Sequence, residues 1–192
     1  MPTITEQEVR SAASRRTRGT VTASAILNES ARTASPTDQF DVFLSHSIRD
    51  AELVLGVKAF LENQGLRVYV DWIVDPSLDR TKVTAATAEK LRRRMQHCKA
   101  MVYMHTSNSP ISKWMPWELG YFDGYHGAVA ILPITTRPEP DFVGQEYLGL
   151  YPWVEHGYTL NLRDELRVHR SGSDYRRWNQ WVSSPRTFRK AA

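Results

Sequence analysis

Four short apolar runs, FDVFL at 40–44, LRVYV at 66–70, AMVYM at 100–104 and VAIL at 129–132, recur along the chain with longer segments between them. This alternation constrains the fold more than any other feature. Strands so far apart cannot close as tight hairpins, and strands joined through helices pair in parallel. Between the first two runs, Leu53, Val54, Val57, Phe60 and Leu61 recur at helical spacing, with Asp50 placed to cap the helix and Gly65 to close it. A basic helix is expected over 84–97, and another helix begins within SKWMPWELGYFDG at 112–124. Further on the pattern is less regular, with an edge strand expected at 158–160 and a final helix over 174–182. The whole predicts an α/β domain with a parallel sheet and helices on both faces.

The flanks read differently. Residues 1–38 are rich in Ala, Ser, Thr and Arg, carry no aromatic residue, and end in a Ser-Pro-Thr-Asp turn signal. They are expected to form short helices, one starting at Thr5-Glu6-Gln7-Glu8, and a mobile linker. The division expected is an N-terminal extension at 1–38, a domain at 39–165, and a C-terminal helix with basic tail at 166–192. Of the 25 Lys and Arg, eight lie in 163–192, beside three of the 21 Asp and Glu. The net charge of +4 therefore resides in the tail, which reads as a solvated end and not as a specific nucleic-acid reader. No apolar run reaches the roughly 18 residues of a membrane span, and 1–18 lacks an apolar leader core. The one cysteine, Cys98, is expected to be a buried spectator in a reducing, cytoplasmic protein.

In a parallel sheet, ligands sit beyond the carboxyl ends of the strands. That rule selects 45–50, 71–80, 105–118 and 133–138. No glycine-rich dinucleotide fingerprint or P-loop is present, and the six scattered His with one Cys give no metal-ligand spacing. Ser45 and His46 are neighbours on an extended chain and point apart, which argues against a hydrolytic triad. Ser45, His46 and Arg49 are candidates to contact phosphate or ribose; the alternative is that Ser47 and Asp50 simply cap the helix. Asp71 and Trp72 are candidates for a pocket wall or loop anchor. Arg92-Arg93-Arg94 reads as a solvated face, and Tyr121 and Phe122 as core.

The segment SKWMPWELGYF allows two helix starts. With Ser112 as cap, Trp114 and Glu118 stand i and i+4 on the first turn. With Pro116 opening the helix, Trp114 lies in the approach. In both cases Glu118 is near a helix N-terminus, which favours its ionised form. A carboxylate beside an indole face suits a ligand with a flat cationic ring and a sugar. The plainer alternative is that both tryptophans are core anchors and Glu118 a first-turn acid.

FDVFLSHSIRDAE, GLRVYVDW and SKWMPWELGYF, in this order and spacing, resemble a bacterial Toll/interleukin-1 receptor (TIR) domain over about 40–160. The resemblance implies a five-stranded parallel, flavodoxin-like sheet with helices on both faces. It also implies a W-x-x-x-E arrangement, here Trp114 and Glu118, in which the glutamate serves cleavage of NAD+ at the nicotinamide–ribose bond. A loop at 71–84 would cover the cleft and assist self-association. NAD+ is then substrate, with no separate cofactor and no metal. Related bacterial proteins, including Thoeris-like ones, serve antiphage defence by making an ADP-ribose-type signal for a separate effector. The long Trp- and Pro-rich segment at 145–157 and the tail depart from the family pattern.

The chemistry is sparse enough for so few motifs. Nicotinamide leaves as a neutral group, so what needs stabilising is positive charge growing on the ribose, and one carboxylate beneath the sugar supplies that. Glu118 is the catalytic candidate; Trp114, Ser45, His46, Arg49, Asp71 and Trp72 are substrate-binding candidates. The expected activity is that of an NAD+ glycohydrolase or cyclase. The rival expectations are a non-enzymatic TIR interaction module and a nucleoside ribosyltransferase-like enzyme.

Overall fold

The computed structural model describes residues 3–17, 21–35, 37–71, 84–139, 146–158 and 164–188. In chain order the elements are β1 (Ile4–Thr5), α1 (Glu6–Ser14), α2 (Ala23–Thr33), β2 (Phe40–Ser45), α3 (Ala51–Asn63), β3 (Val68–Val70), α4 (Ala85–Gln96) and β4 (Cys98–His105). They continue with α5 (Trp114–Tyr125), β5 (Val129–Thr135), β6 (Trp153–Tyr158), β7 (Asp164–His169), β8 (Tyr175–Arg177) and α6 (Trp178–Ser183). Short 3-10 turns occupy Ser109–Ile111, Glu146–Leu150 and Pro185–Phe188.

The four apolar runs all become strands. They form a parallel core in the order β3-β2-β4-β5-β6, five strands as expected. Val42, Phe43 and Leu44 on β2, Met101, Val102 and Met104 on β4, and Ala130, Ile131 and Leu132 on β5 are fully buried. Burial on both faces explains why these runs are continuous and not alternating. The chain moves one way in the sheet after β2 and the other way after β3 and β4. Right-handed crossovers then set α3 on one face and α4 with α5 on the other. Gly65, at φ +80°, lets the chain turn off the end of α3.

Four features depart from the expected pattern. First, the sheet continues past β6 as an antiparallel β6-β7-β8 meander, making eight strands with β1. The first part of the expected helix at 174–182 is strand β8, because Tyr175 to Arg177 continue the ladder opposite Arg167 to His169; only Trp178–Ser183 is helical. The expected edge strand at 158–160 is represented by Tyr158, the last residue of β6; positions 159 and 160 lie outside the described residues.

The second departure concerns the N-terminal segment, whose described part is docked. A capping box between Thr5 and Glu8 starts α1, and α1 packs along α3 so closely that a Cβ at Gly56 would stand 2.0 Å from the Val9 carbonyl oxygen. β1 pairs in parallel with the end of β5, Ile4 opposite Ile134, and Thr3 Oγ1 meets Thr135 Oγ1 at 2.6 Å.

Third, the Arg92-Arg93-Arg94 run is not uniformly solvated. Arg93 is exposed and pairs with Glu89, whereas Arg94 is buried, donates to the Ala34 and Ser35 carbonyls, and lies over the Tyr69 ring. It thereby fastens the linker after α2 to α4.

Fourth, Tyr121 lies at the edge of the core and not within it. It is half-buried, packs against the core and stacks between Trp117 and Tyr125, while Phe122 is fully buried. Cys98 is buried as expected, with its thiol pushed up to about 12, chiefly by burial.

Candidate active site

β2 ends at Ser45 and the chain turns into α3; β4 ends at His105 and the chain passes through the Ser109–Ile111 turn into α5. These neighbouring strands send their helices to opposite faces, which opens a crevice beyond their carboxyl ends. Glu118 and Ser45 meet there. Helix α5 begins at Trp114, and Ser112 Oγ accepts from the Met115 N–H at 3.4 Å. The helix therefore starts one residue after the earlier of the two expected positions, with Lys113 and not Ser112 at its N-cap. Pro116 falls within the first turn, where its missing N–H has no intrahelical role.

The consequence is that Trp114 and Glu118 share one face, i and i+4, and both are buried, at 6% and 2% exposure. Trp117 points elsewhere, its ring edge-on to Trp114 at 5.4 Å and stacked on Tyr121. The two tryptophans thus divide the work: Trp114 faces inward beside the carboxylate, and Trp117 opens an outer aromatic stack under Arg92.

Ser45 Oγ donates to Glu118 Oε2 at 2.6 Å, in a buried contact. Tyr103 lies opposite Ser45 in the β2–β4 register and is buried. Its phenol is pushed well above the ordinary tyrosine range by burial, by Tyr147 with which it shares a hydrogen bond, and by the nearby Glu118 charge. Sequence alone does not single out Tyr103 or Tyr147; Tyr103 reads there as one more residue in an apolar strand.

A cleft of about 220 Å³ opens beside this group, lined by Ser47, Ile48 and Arg49 on one side and Ile111, Ser112, Lys113 and Trp114 on the other. Ile48 and Ile111 are large apolar residues left 47% and 55% exposed at this cleft. Arg49 and Lys113 give it positive charge with no acidic residue among its lining, a suitable environment for phosphate. The volume takes part of a dinucleotide, not all of it.

The other sequence candidates are distributed around this centre. His46 is buried, with Nδ1 2.9 Å from the Leu44 carbonyl oxygen. Asp71 is buried at the end of β3 and accepts from the Tyr69 hydroxyl at 3.3 Å. Trp72, and the loop at 72–83, lie outside the described residues. His105, at the end of β4, is held below its ordinary pKa by burial. Asp50 does not cap α3 with its side chain; both carboxylate oxygens cross to the other wall of the crevice, accepting from Thr106 Oγ1 and Asn108 Nδ2, each at 2.6 Å. Among the described residues no group of three or more His, Cys, Asp or Glu is arranged to hold a metal ion, and no helix is long and apolar enough to cross a membrane.

The family model described as TIR domain matches residues 42–166. The chain is 50% identical over 145 residues to a probable 3' cyclic ADP-D-ribose synthase, ThsB', of Bacillus cereus, covering 74% of this chain and 75% of that protein. It is 32% identical over 83 residues to a putative cyclic ADP-D-ribose synthase, TIR2, of Cytobacillus dafuensis, covering 43% of this chain and 22% of that one.

Proposed function

The chain belongs to the TIR domain family, and from that premise we propose that it is an NAD+-consuming enzyme. It breaks the nicotinamide–ribose bond and closes the remaining ADP-ribose into a cyclic nucleotide that serves as a signal in bacterial antiphage defence. The two cyclic ADP-D-ribose synthases it resembles support the substrate and the product class. The observation that carries the proposal is the buried Glu118 carboxylate, held by Ser45 on the same helix face as Trp114, which also lines a cationic cleft.

In the proposed reaction the ribose C1–nitrogen bond breaks with both electrons going to the pyridinium ring, so nicotinamide departs neutral. Positive charge develops on the ribose, and Glu118 stabilises it. This interaction strengthens only as the bond breaks, and so lowers the barrier without tightening substrate binding equally. Trp114 offers a face to the pyridinium, and Arg49 and Lys113 neutralise the diphosphate. A hydroxyl of the same molecule then attacks the ribose carbon and gives up its proton; the 3' linkage named in the Bacillus relative is the one expected. Water in the same place gives linear ADP-ribose. The proposed chemistry calls on no metal or further cofactor. Self-association through TIR surfaces and a separate effector that reads the product complete the proposed system.

The test is product analysis of the purified chain incubated with NAD+, with and without phage-infected lysate. Nicotinamide and a cyclic ADP-ribose are expected, in the presence of a chelator as in its absence. Absence of nicotinamide under both conditions would overturn the proposal in favour of a TIR interaction module without catalysis.

A further inference from the structure

We propose that Asp50 is a positioning residue that fixes the separation of the two walls of the cleft. It is buried, at 5% exposure, and occupies the N-cap position of α3 without capping it. Its Oδ2 accepts from Thr106 Oγ1 and its Oδ1 from Asn108 Nδ2, both at 2.6 Å. The opposite wall is tied down in turn: Thr106 N–H donates to Ser109 Oγ at 2.8 Å, Ser109 Oγ donates to the Met104 carbonyl at 3.0 Å, and Asn108 N–H donates to Thr106 Oγ1 at 3.1 Å. Asp50 is anchored on its own side by its backbone, which donates to Ser47 and accepts from Val54.

None of Asp50, Thr106, Asn108 or Ser109 lines the cleft. The residues that do line it, 47–49 and 111–114, adjoin the two segments this knot joins. A side-chain cap would have served the helix at lower cost, since a Ser or Asn there satisfies free N–H groups. Setting a buried carboxylate across the crevice instead serves the relation between the walls. Charge-assisted hydrogen bonds to an ionised oxygen are short and directional, and a misplacement of about 1 Å in a binding wall costs on the order of 100-fold in rate. The knot therefore governs how tightly the substrate is gripped and how well water is kept from the ribose. Its kinetic consequence rests on the NAD+ reading; its geometric consequence does not.

Thr106→Val deletes the hydroxyl at nearly constant volume, Thr106→Ser keeps it, and Asp50→Asn leaves one oxygen facing two donors. In the full-length protein, Thr106→Val and Asp50→Asn are expected to speed amide exchange in 46–50 and 106–113 together. They are also expected to raise KM for NAD+ about tenfold with a smaller change in kcat and to shift product from cyclic towards linear ADP-ribose; Thr106→Ser recovers most of this. Faster exchange confined to one loop, or both loops loosened with KM and product ratio as in the wild type, overturns the proposal. If the wild type releases no nicotinamide, the NAD+ reading fails separately and the exchange comparison alone decides. Should either main variant fail to fold, Asn108→Ala removes one of the two donors from a half-buried position. Joint loosening of both loops then supports the knot, and loosening of 106–113 alone overturns it.

Discussion

Ser45, the last residue of β2, and Glu118, one turn into α5, are 73 positions apart in sequence and 2.6 Å apart in space. The bond joins the carboxyl end of a central strand to the helix that carries the carboxylate. It holds one Glu118 oxygen and so restricts the rotation of the group.

Replacing Glu118 with Gln is expected to leave the melting temperature nearly unchanged and to abolish nicotinamide release. The exchange conserves shape and removes the charge that the developing cation needs. A variant retaining a tenth of the wild-type rate would limit the carboxylate's contribution to about 1.4 kcal/mol, too little for the principal catalytic group.

Ser45→Ala should lower kcat more than it raises KM, by about tenfold, because Ser45 acts on Glu118 and not on the substrate. Ser45→Thr restores the hydroxyl and should recover part of the rate. Steady-state kinetics of the three proteins decide this; a change in KM alone would make Ser45 a substrate contact.

Trp114→Ala is expected to weaken turnover strongly, and Trp114→Phe to retain a measurable part of it, since a ring face survives. Circular dichroism and solubility supply the control. Two folded variants with equal, wild-type kinetics would show that the indole face plays no part in ligand handling.

Much of this arrangement is legible in the sequence, and the limits are physical. β2, β4 and β5 announce themselves because burial on both faces forces continuous apolar runs. Trp114 and Glu118 are readable as a pair because helical spacing is local. The Asp50 knot is not readable, since its partners are Thr106 and Asn108, and nothing local links residues 56 and 58 positions apart. The β6-β7-β8 meander escapes for another reason. Its strands are stabilised by charged and aromatic partners, such as the buried Glu155–His169 pair at 2.9 Å and the stacking of His169 on Trp153 and Tyr175, so no apolar run marks them.

The basic C-terminus divides at Phe188. That ring is buried, at 2% exposure, with the Arg176 and Arg170 guanidinium groups 4.7 and 5.4 Å from its centre. Removing 189–192 should leave turnover and stability as they are, whereas Phe188→Ala should cost about 3 kcal/mol. Thermal unfolding of the two proteins checks the contrast; an equal melting temperature for both would place Phe188 outside the core.

Asp41 links acidity to stability at the other end of the sheet. Burial alone would raise its carboxyl, but the Arg67 N–H and the Lys99 ammonium, each 2.8 Å away, outweigh that and hold it below its ordinary 3.8. Because the folded value is depressed, the stabilisation is present above the unfolded value and fades as pH falls through the folded one. Asp41→Asn should therefore lose about 1 kcal/mol at neutral pH. The gap in melting temperature from wild type should close as the pH is taken below 3.8. A gap independent of pH would exclude charge as its origin.

The pairing of β1 with β5 also has a consequence for how the molecule comes into being. Thr3 and Thr135 touch across 132 positions, so this contact cannot form until β5 has joined the sheet, and it is of the long-range kind that closes slowly. Helix α1, packed along α3, carries Ile4 and Thr5 close to their place and so shortens the search. The edge pairing of β1 thus depends on helix packing elsewhere as much as on its own two residues, a coupling that so short a strand could not supply alone.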